Sequence, residues 1–283
     1  MIPSIRQPRA FRIAYRAYVA LFFLYLALPL TVVAVFAFNN SQFPSLPWKG
    51  FTLEWFFGDS RPMIGVFHER PILRALGNSG FIAVFVSALS VVVGTTNAFL
   101  FNRYEFRFKG LFYVLMLLPL VIPGIVLGIS ILVFSSTVAN GVWDGIGYDI
   151  EALRPGLTLV ILGQFSFITT IVTLVIAARL QKFDRTLEEA ALNLGANRMT
   201  AVRTVTIPYL APALIGGFVV AFLMSFENFN TTLMLVGSDA PLTIAMFDRL
   251  KEGSTPLLNA VSLLLMLGST TLALVMVLFQ RKS

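Results

Sequence analysis

The chain has 283 residues, of which 57% are hydrophobic and only 12% are Asp, Glu, Lys or Arg, and its formal net charge is +7. Soluble domains carry roughly 25% charged residues, so this composition excludes a water-soluble globular protein. The absence of cysteine and the single histidine, His68, exclude disulfides, thiolate metal sites and multi-histidine metal centres, and no catalytic residue is expected.

Six apolar blocks are each long enough to cross a bilayer as a helix of about 20 residues. Helices are expected because lipid offers no hydrogen-bond partner to open backbone groups, and the blocks lack the alternation of barrel strands. We predict an all-α membrane protein with six transmembrane helices in a single domain, residues 1–283. The predicted spans are Ala17–Phe38, Asn78–Phe99, Leu111–Ser135, Leu157–Ala178, Ala211–Phe229 and Pro256–Phe279.

The first block follows a basic N-terminus, as the core of a signal peptide would. It is longer than the roughly 7–15 residues of such a core, and no Ala-x-Ala cleavage pattern closes it. We therefore predict an uncleaved first span.

Prolines occur inside two of the predicted spans, Pro29 in the first and Pro119 and Pro123 in the third. Proline removes a backbone donor and kinks a helix. In a transporter these kinks suit a hinge or a wall of the pathway, but proline is also common in ordinary membrane helices. Both interpretations remain open.

The basic residues divide unevenly between the two sides that six spans would create, with 14 on one side and 7 on the other. Cytoplasmic loops carry an excess of Lys and Arg, so we predict that the more basic side, with both termini, is cytoplasmic. The basic residues lie between apolar blocks and form no separate basic patch, so no nucleic-acid partner is expected. The 14 are Arg6, Arg9, Arg12, Arg16, Arg103, Arg107, Lys109, Arg179, Lys182, Arg185, Arg198, Arg203, Arg281 and Lys282.

The opposite side is predicted to hold three outer loops, Asn39–Gly77, Thr137–Gly156 and Asn230–Thr255. They are rich in the turn residues Pro, Gly and Asp. The three tryptophans, Trp48, Trp55 and Trp143, all fall in these loops. Tryptophan is enriched at membrane–water interfaces, so we interpret them as interfacial anchors.

The one substantial cytoplasmic loop is residues 179–209, between the fourth and fifth spans. Its first part, Thr186–Leu194, is rich in helix-forming residues. Thr186 is predicted to cap this helix with Glu189 as its capping-box partner, and Gly195 is predicted to end it in the left-handed conformation.

A second helical piece is predicted from Asn197 to about Thr206, with Met199, Val202 and Val205 apolar at helical spacing. Pro208 is predicted to end this piece and to open the next span. Judged by this pattern alone, the helical hairpin suits an interfacial loop or a docking element.

The residues of this loop resemble the EAA motif of ABC importer permeases, which reads Glu-Ala-Ala, three residues, Gly, nine residues and Ile-x-Leu-Pro. The chain has Glu189-Ala190-Ala191, Gly195 and Val205-Thr206-Ile207-Pro208, with conservative Val for Ile and Ile for Leu. The sequence thus resembles a MetI-like, type I ABC importer permease. Asn78-Ser79 resembles the Asn-Ser usual in this family, and residues 225–228 (SFEN) and 255–260 (TPLLNA) are similar to the spermidine/putrescine subgroup.

The resemblance implies that the loop couples this chain to a separate ATPase dimer, which would hold ATP and Mg²⁺. Consistent with this, the chain has no G-x-x-x-x-G-K-[ST] phosphate loop and is expected to bind no cofactor. It also implies a second permease subunit that is a different chain, a periplasmic substrate-binding protein and an inner-membrane location. The coupling residues implied are Glu188, Glu189, Ala190, Ala191, Leu194, Gly195, Ala196, Asn197 and Pro208.

Polar residues within spans are candidates for the solute pathway, because they are costly in lipid. Glu227 is the one acid inside the spans as drawn, and Gln164 is a second intramembrane candidate. Polyamine-type relatives commonly have two acids where this chain has Glu227-Asn228, and often a histidine in place of Gln164. The pathway candidates are Gln164, Ser225, Glu227, Asn228, Asn230 and Thr231.

The resemblance to the spermidine/putrescine subgroup implies a polyamine or related amine as the solute. The single acid in Glu227-Asn228 fits an amino-acid-like compound or an opine about as well, and these are the alternatives. Other members of the class would carry thiamine or Fe(III). A secondary transporter driven by an ion gradient is an alternative of a different class, but it would be expected to show intramembrane acids at ion sites and often two related halves. A membrane-embedded enzyme lacks support from any catalytic cluster.

Overall fold

The structure, a computed structural model, describes residues 8–253 and 255–280. Arg6, Arg281 and Lys282, which entered the comparison of loop charges, lie outside the described residues. The helices are α1 (Arg9–Phe36), α2 (Glu54–Phe57), α3 (Arg70–Arg103), α4 (Lys109–Val121), α5 (Gly124–Ile146), α6 (Leu157–Leu180), α7 (Thr186–Asn193), α8 (Arg198–Ala201), α9 (Ile207–Phe226), α10 (Asn230–Leu235), α11 (Leu242–Glu252) and α12 (Pro256–Gln280).

In the described part of the chain, six helices are long and apolar enough to cross a membrane, so the predicted all-α class and number of spans are confirmed. The helices are longer than the blocks suggested. The second span starts at Arg70, not Asn78, and α5 continues to Ile146 through much of the predicted loop Thr137–Gly156. The predicted loop Asn230–Thr255 contains the helices α10 and α11.

The prediction of one continuous third span, Leu111–Ser135, is wrong. The helix α4 ends at Val121, Ile122 is extended with φ −75° and ψ 128°, and α5 begins after Pro123. A proline ring disfavours the helical conformation of the residue before it, which explains why Ile122 leaves the helix. By length and hydropathy, the third membrane-crossing helix is α5.

The described residues form two compact units, one of residues 8–70, 249–253 and 255–268 and the other of residues 71–248 and 269–280. The second unit is built around α6, the most buried of the spanning helices. Five of the described helices pack on it: α3, α4, α5, α9 and α10. A helix apolar all round and covered on several sides is the expected centre of a membrane bundle.

Small and hydroxyl side chains allow α3 and α6 to approach closely. A Cβ at Gly94 would lie 3.0 Å from Val172 Cγ1 and 3.1 Å from the backbone nitrogen of Thr173. One helical turn away, the hydroxyls of Ser90 and Thr169 are 3.1 Å apart and share a hydrogen bond in the core. Such contacts are the usual means of helix association where lipid removes the hydrophobic driving force.

The first unit contains a compact fold between α1 and α3. Asn39 pairs with Phe51 in an isolated antiparallel bridge, and Trp55 donates its indole N–H to the Asn39 carbonyl at 2.9 Å. Trp55 is only 3% exposed. Its interpretation as an interfacial anchor is therefore wrong, because its ring packs within the protein and its polar atom has a protein partner.

The same unit holds a cavity of about 500 Å³ whose wall includes Trp55, Arg61 and Thr255. An ion pair between Glu69 and Arg249 forms part of the wall. The carboxylate of Glu69 is largely buried there, and pairing with the guanidinium offsets the cost of removing it from water.

The helix α1 is apolar and continuous through Pro29. None of the residues of α1, all of which the structure describes, is buried. Lipid contact along its length is consistent with this composition, and Pro29 does not break it.

Candidate functional site

The segment with the Glu-Ala-Ala motif forms a short helix closed by a tight turn. The helix α7 ends at Asn193, and Gly195 adopts a φ of +91°. The Gly195 N–H donates to the Leu192 carbonyl at 3.0 Å, and the Ala196 N–H donates to the Ala191 carbonyl at 3.1 Å. These two bonds define a Schellman turn, and the predicted left-handed role of Gly195 is confirmed.

The start of α7 differs from the prediction, and the capping box of Thr186 and Glu189 is wrong. Thr186 is the first helical residue, and its backbone N–H donates to Asp184 Oδ1 at 3.0 Å. Asp184 precedes Thr186 by two residues, and its carboxylate accepts this backbone N–H in place of the predicted cap. Hydrogen bonds from the backbone and side chain of Thr186 lower the pKa of Asp184, because they favour the charged carboxylate.

The second half of the hairpin runs directly into the fifth spanning helix. Asn197 caps α8 by accepting a hydrogen bond from the Thr200 N–H at 2.8 Å. A π-helical turn, Val202–Thr206, then joins α8 to α9. Pro208 lies in the first turn of α9, as predicted. The prediction that it also ends the preceding helical piece is wrong, because the wider π-helical turn accommodates the crowding between a proline ring and the preceding turn.

Glu188 joins this hairpin to two other elements. Its Oε2 accepts a hydrogen bond from Arg103 Nη1 at the end of α3, and its Oε1 accepts one from the Thr206 hydroxyl in the π-helical turn. Partial burial alone would raise the pKa of Glu188. The bonds from Arg103 and Thr206 and the neighbouring guanidinium charges outweigh that effect, so the pKa is lowered.

Other residues of the hairpin face solvent. Leu194 is 89% exposed, and Glu189 and Ala190 are also exposed, whereas Ala191 and Ala196 are half-buried. Among the large hydrophobic side chains that the structure describes, Leu194 is the most exposed, and burying such a side chain against a partner is worth about 2 kcal/mol. We call the surface formed by Glu189, Ala190 and Leu194 the outer face of the hairpin.

The pathway candidates fall into two groups, and the first is a buried chain of hydrogen bonds. The Ser225 hydroxyl donates to Gln164 Oε1, and Gln164 Nε2 donates to Thr232 Oγ1 at 2.8 Å. Thr232 Oγ1 in turn donates to Asn228 Oδ1 at 2.9 Å. Gln164 is 1% exposed. Its side chain therefore links α6, α9 and α10 and lines no open space.

The second group lies at the end of α9. Glu227 is the residue that follows the last helical residue of α9 and is exposed, as is Asn230 at the start of α10. Thr231, by contrast, is buried and donates its hydroxyl to the Gly124 carbonyl at 3.3 Å. Of the six candidates, Glu227 and Asn230 are thus the two that are exposed on the surface of this chain, and Asn228 is half-buried.

Sequence reasoning missed three residues of these networks: Arg103, Thr206 and Thr232. Arg103 was counted only as a basic loop residue, and the motif included Thr206 only as a variable position. A polar residue three or four positions from Asn228 on a helical pattern was a signal for Thr232. Arg103 lies 85 residues from Glu188, and no local pattern indicates such a pair.

A family model described as "Binding-protein-dependent transport system inner membrane component" matches residues 90–282. The chain belongs to this family. The resemblance drawn from the EAA motif is thereby confirmed, and the chain is an inner-membrane permease subunit of an ABC importer. In such a transporter the permease is not catalytic, because the ATPase is a separate chain.

Among curated relatives, the chain is 28% identical over 268 residues to the putrescine transport system permease protein PotI of Escherichia coli (strain K12), covering 94% of this chain and 88% of PotI. It is also 28% identical over 268 residues to the spermidine/putrescine transport system permease protein PotC of Haemophilus influenzae. That match covers 94% of this chain and 96% of PotC.

Two solved structures share the fold. One is a bacterial ABC transporter that imports the acidic polysaccharide alginate, with a TM-score of 0.71 and 17% identity over 96% of this chain and 94% of that chain. The other is a bacterial alginate ABC transporter in complex with an alginate pentasaccharide-bound periplasmic protein, with a TM-score of 0.69 and 17% identity over 95% of this chain and 92% of that chain. The family's permease fold is therefore the fold of this chain.

Proposed function

We propose that this permease forms, with a second and different permease subunit, the path by which a polyamine such as putrescine or spermidine crosses the inner membrane. A separate ATPase dimer that binds ATP and Mg²⁺ drives the cycle through the hairpin of residues 179–209. One observation carries the coupling part of this proposal: the Schellman turn at Gly195 presents Leu194, almost fully exposed, beside Glu189 and Ala190.

The outer face suits a protein partner. An exposed leucine beside small side chains allows the backbone of a partner to approach closely, and burial of the leucine favours association. The coupling role proposed for Ala191, Ala196, Asn197 and Pro208 is to shape this surface, since Asn197 caps α8 and Pro208 lies in the first turn of α9. Glu188 is assigned to the inner side of the hairpin.

The proposed orientation places the hairpin and both termini in the cytoplasm. It is supported by the excess of Lys and Arg on that side of the predicted spans. The ATPase then meets the hairpin, and the periplasmic substrate-binding protein meets the opposite side. There, we expect the binding protein to meet the segment between α1 and α3, whose cavity is lined in part by Glu69 and Arg249.

Two observations support a cationic solute. Relatives over most of the chain are named for putrescine or spermidine transport, and Glu227 is exposed at the end of α9. A carboxylate there attracts an ammonium group without being buried, and the exposed amide of Asn230 lies three residues further along the chain. An amino-acid-like compound or an opine also carries an ammonium group, so competition experiments must include these solutes.

The coupling proposal is tested by Leu194→Asp in the transporter expressed with its other subunits. The ATPase should be lost from the purified complex, because a charge replaces the apolar contact. Leu46→Asp is the matched control, since Leu46 is also highly exposed, at 77%, but lies outside the hairpin. Retention of the ATPase by the Leu194→Asp complex would contradict the docking role.

The solute proposal is tested by Glu227→Gln with radiolabelled putrescine and spermidine. Uptake should fall mainly through a higher KM, because loss of one charge weakens capture of the cation. Glu252→Gln, also an exposed acid, is the control. Unchanged uptake kinetics in Glu227→Gln would reject a direct contact, and uptake blocked better by an opine than by putrescine would reject the polyamine.

A further inference from the structure

Three elements of the permease meet at one carboxylate. Glu188 lies on α7, Arg103 is the last residue of α3, and Thr206 is the last residue of the π-helical turn that leads into α9. The two oxygens of Glu188 accept from different elements, so one side chain joins the hairpin to the ends of two spanning helices.

The surroundings hold this junction in place. The side chains of Arg103 and Glu188 are 16% and 14% exposed, and Thr206 is fully buried. The Arg103 guanidinium also lies over the rings of Phe99 and Phe183, at 5.3 and 5.6 Å from their centroids. Bonds that involve charged groups are stronger than neutral ones, and partial burial shields them from solvent and salt.

A second contact connects the same two regions. Arg185, just before α7, donates from Nη2 to the Asn102 carbonyl at 3.0 Å. The hairpin is therefore bonded to the last two residues of α3 by two arginines. Arg103 donates from α3 to the hairpin, and Arg185 donates from the hairpin to α3. Two such contacts restrict rotation as well as separation.

Neighbouring glutamates on α7 have different surroundings. Successive residues of an α-helix point about 100° apart, so Glu188 faces α3 and α9 while Glu189 is exposed on the outer face. We infer that Glu188, Arg103 and Thr206 are positioning residues that transmit movement of the hairpin to α3 and α9, whereas Glu189 and Leu194 serve ATPase docking. This inference rests on the proposed function, because it assumes that the ATPase moves the hairpin.

The transmission can be measured directly with spin labels. Because the chain has no cysteine, a thiol-reactive label attaches to it only where a cysteine is introduced. Met199→Cys and Tyr104→Cys give one label on the hairpin, outside its outer face, and one just beyond α3, both at exposed positions. In the complete transporter, the distance between these labels should stay constant with and without ATP and Mg²⁺. In Glu188→Gln it should change on ATP binding or broaden, because the hairpin then moves without α3.

Transport provides the second readout. In proteoliposomes, Glu188→Gln and Arg103→Gln should keep the ATPase bound and hydrolysing ATP while uptake falls by about tenfold or more, as expected for loss of one charge-assisted hydrogen bond. Thr206→Val, which removes one hydroxyl, should show a smaller effect in the same direction. Arg103→Lys, which keeps the charge, should recover part of the uptake. If a single variant folds poorly, the double variant Glu188→Arg with Arg103→Glu, in which the two charges are exchanged, is measured in its place.

The controls separate this inference from the docking role. Arg107→Gln removes an exposed arginine four residues from Arg103 and should leave the label distance and the uptake per ATP unchanged. If Glu188→Gln and Arg103→Gln keep normal label distances and normal uptake per ATP, or lose the ATPase as Leu194→Asp should, the transmission role is wrong. If instead Leu194→Asp retains the ATPase, the docking role fails, and the transmission role that rests on it fails as well.

Discussion

The side-chain amide of Gln164 donates to the hydroxyl of Thr232 at 2.8 Å and is the middle of a buried chain that joins α6, α9 and α10. This relationship changes the interpretation of Gln164. As a polar residue within a span it is a candidate for solute contact, but its amide nitrogen and oxygen both bond to neighbouring helices. Its main effect is thus on how those helices are held together.

Gln164→Leu is expected to destabilise the permease by about 1–3 kcal/mol, because it leaves the hydroxyls of Ser225 and Thr232 buried with a lost partner. The measurement is thermal unfolding in detergent. The triple variant with Ser225→Ala and Thr232→Val should recover much of the loss, since apolar replacement of all partners is nearly neutral. A triple variant less stable than Gln164→Leu alone would contradict this account.

Gly128→Ala is expected to separate α5 from α10. A Cβ at residue 128 would lie 2.9 Å from Met234 Cβ and 3.0 Å from the Thr231 carbonyl oxygen, so the cost of overpacking is about 1–3 kcal/mol. Thermal unfolding again gives the measurement. Gly141→Ala on the same helix is the control, because a Cβ there has no heavy atom within 4 Å and alanine favours the helix.

Gly195→Ala is expected to weaken the hairpin for a different reason. A Cβ there meets open space, but the φ of +91° is strained for any L-residue, at a cost of about 1–2 kcal/mol. The affinity of the complex for its ATPase should fall in the order Gly, Asn, Ala, because asparagine tolerates the left-handed region best after glycine. Gly80→Ala, in open space on α3, should have no effect, and equal affinities for all variants would show that the turn geometry is dispensable.

The contact between Glu188 and Arg103 predicts a pH dependence. The pKa of Glu188 is lowered in the folded protein, so the pair contributes its full stability above the ordinary glutamate pKa of about 4.3. The contribution is lost as the pH falls through the lowered value. A spin label at Leu194→Cys should therefore stay equally ordered from pH 7 to pH 5 and become mobile only below about pH 4.

Glu188→Gln is the control for this titration. The variant has no carboxylate at this position, so its label should be more mobile at neutral pH and should show no transition in the acid range that is specific to Glu188. A transition of the same size and midpoint in both proteins would assign the effect to another acid, such as Asp184 just before α7.

Local patterns in the sequence were sufficient for the features that depend on neighbouring residues. Long apolar runs predicted six spanning helices, and Gly195 at the end of a helix-forming stretch predicted the left-handed turn. The break at Ile122 was not predicted, because Pro119 and Pro123 both kink helices in principle and sequence alone does not decide whether either of them ends the helix. The helix α4 continues through Pro119 and ends before Pro123.

Features that depend on distant residues were not predictable in this way. The partner of Glu188 lies 85 residues away, and Gln164 and Thr232 are 68 residues apart. Whether a polar side chain in a span faces a solute or another helix is decided by packing of the whole bundle, which a single sequence does not encode in any short pattern. The same limit explains why Trp55 was assigned to the membrane interface although it is buried.

The π-helical turn at Val202–Thr206 leaves one uninterrupted helical segment from Arg198 to Phe226, 29 residues in all. At 1.5 Å per residue this segment is about 43 Å long, so a tilt of about 10° at its hairpin end displaces its far end by about 7 Å. That far end adjoins Glu227. If the ATPase docks on the hairpin as proposed, a small rotation of this segment there produces, at the other end, a displacement about as wide as a small organic cation.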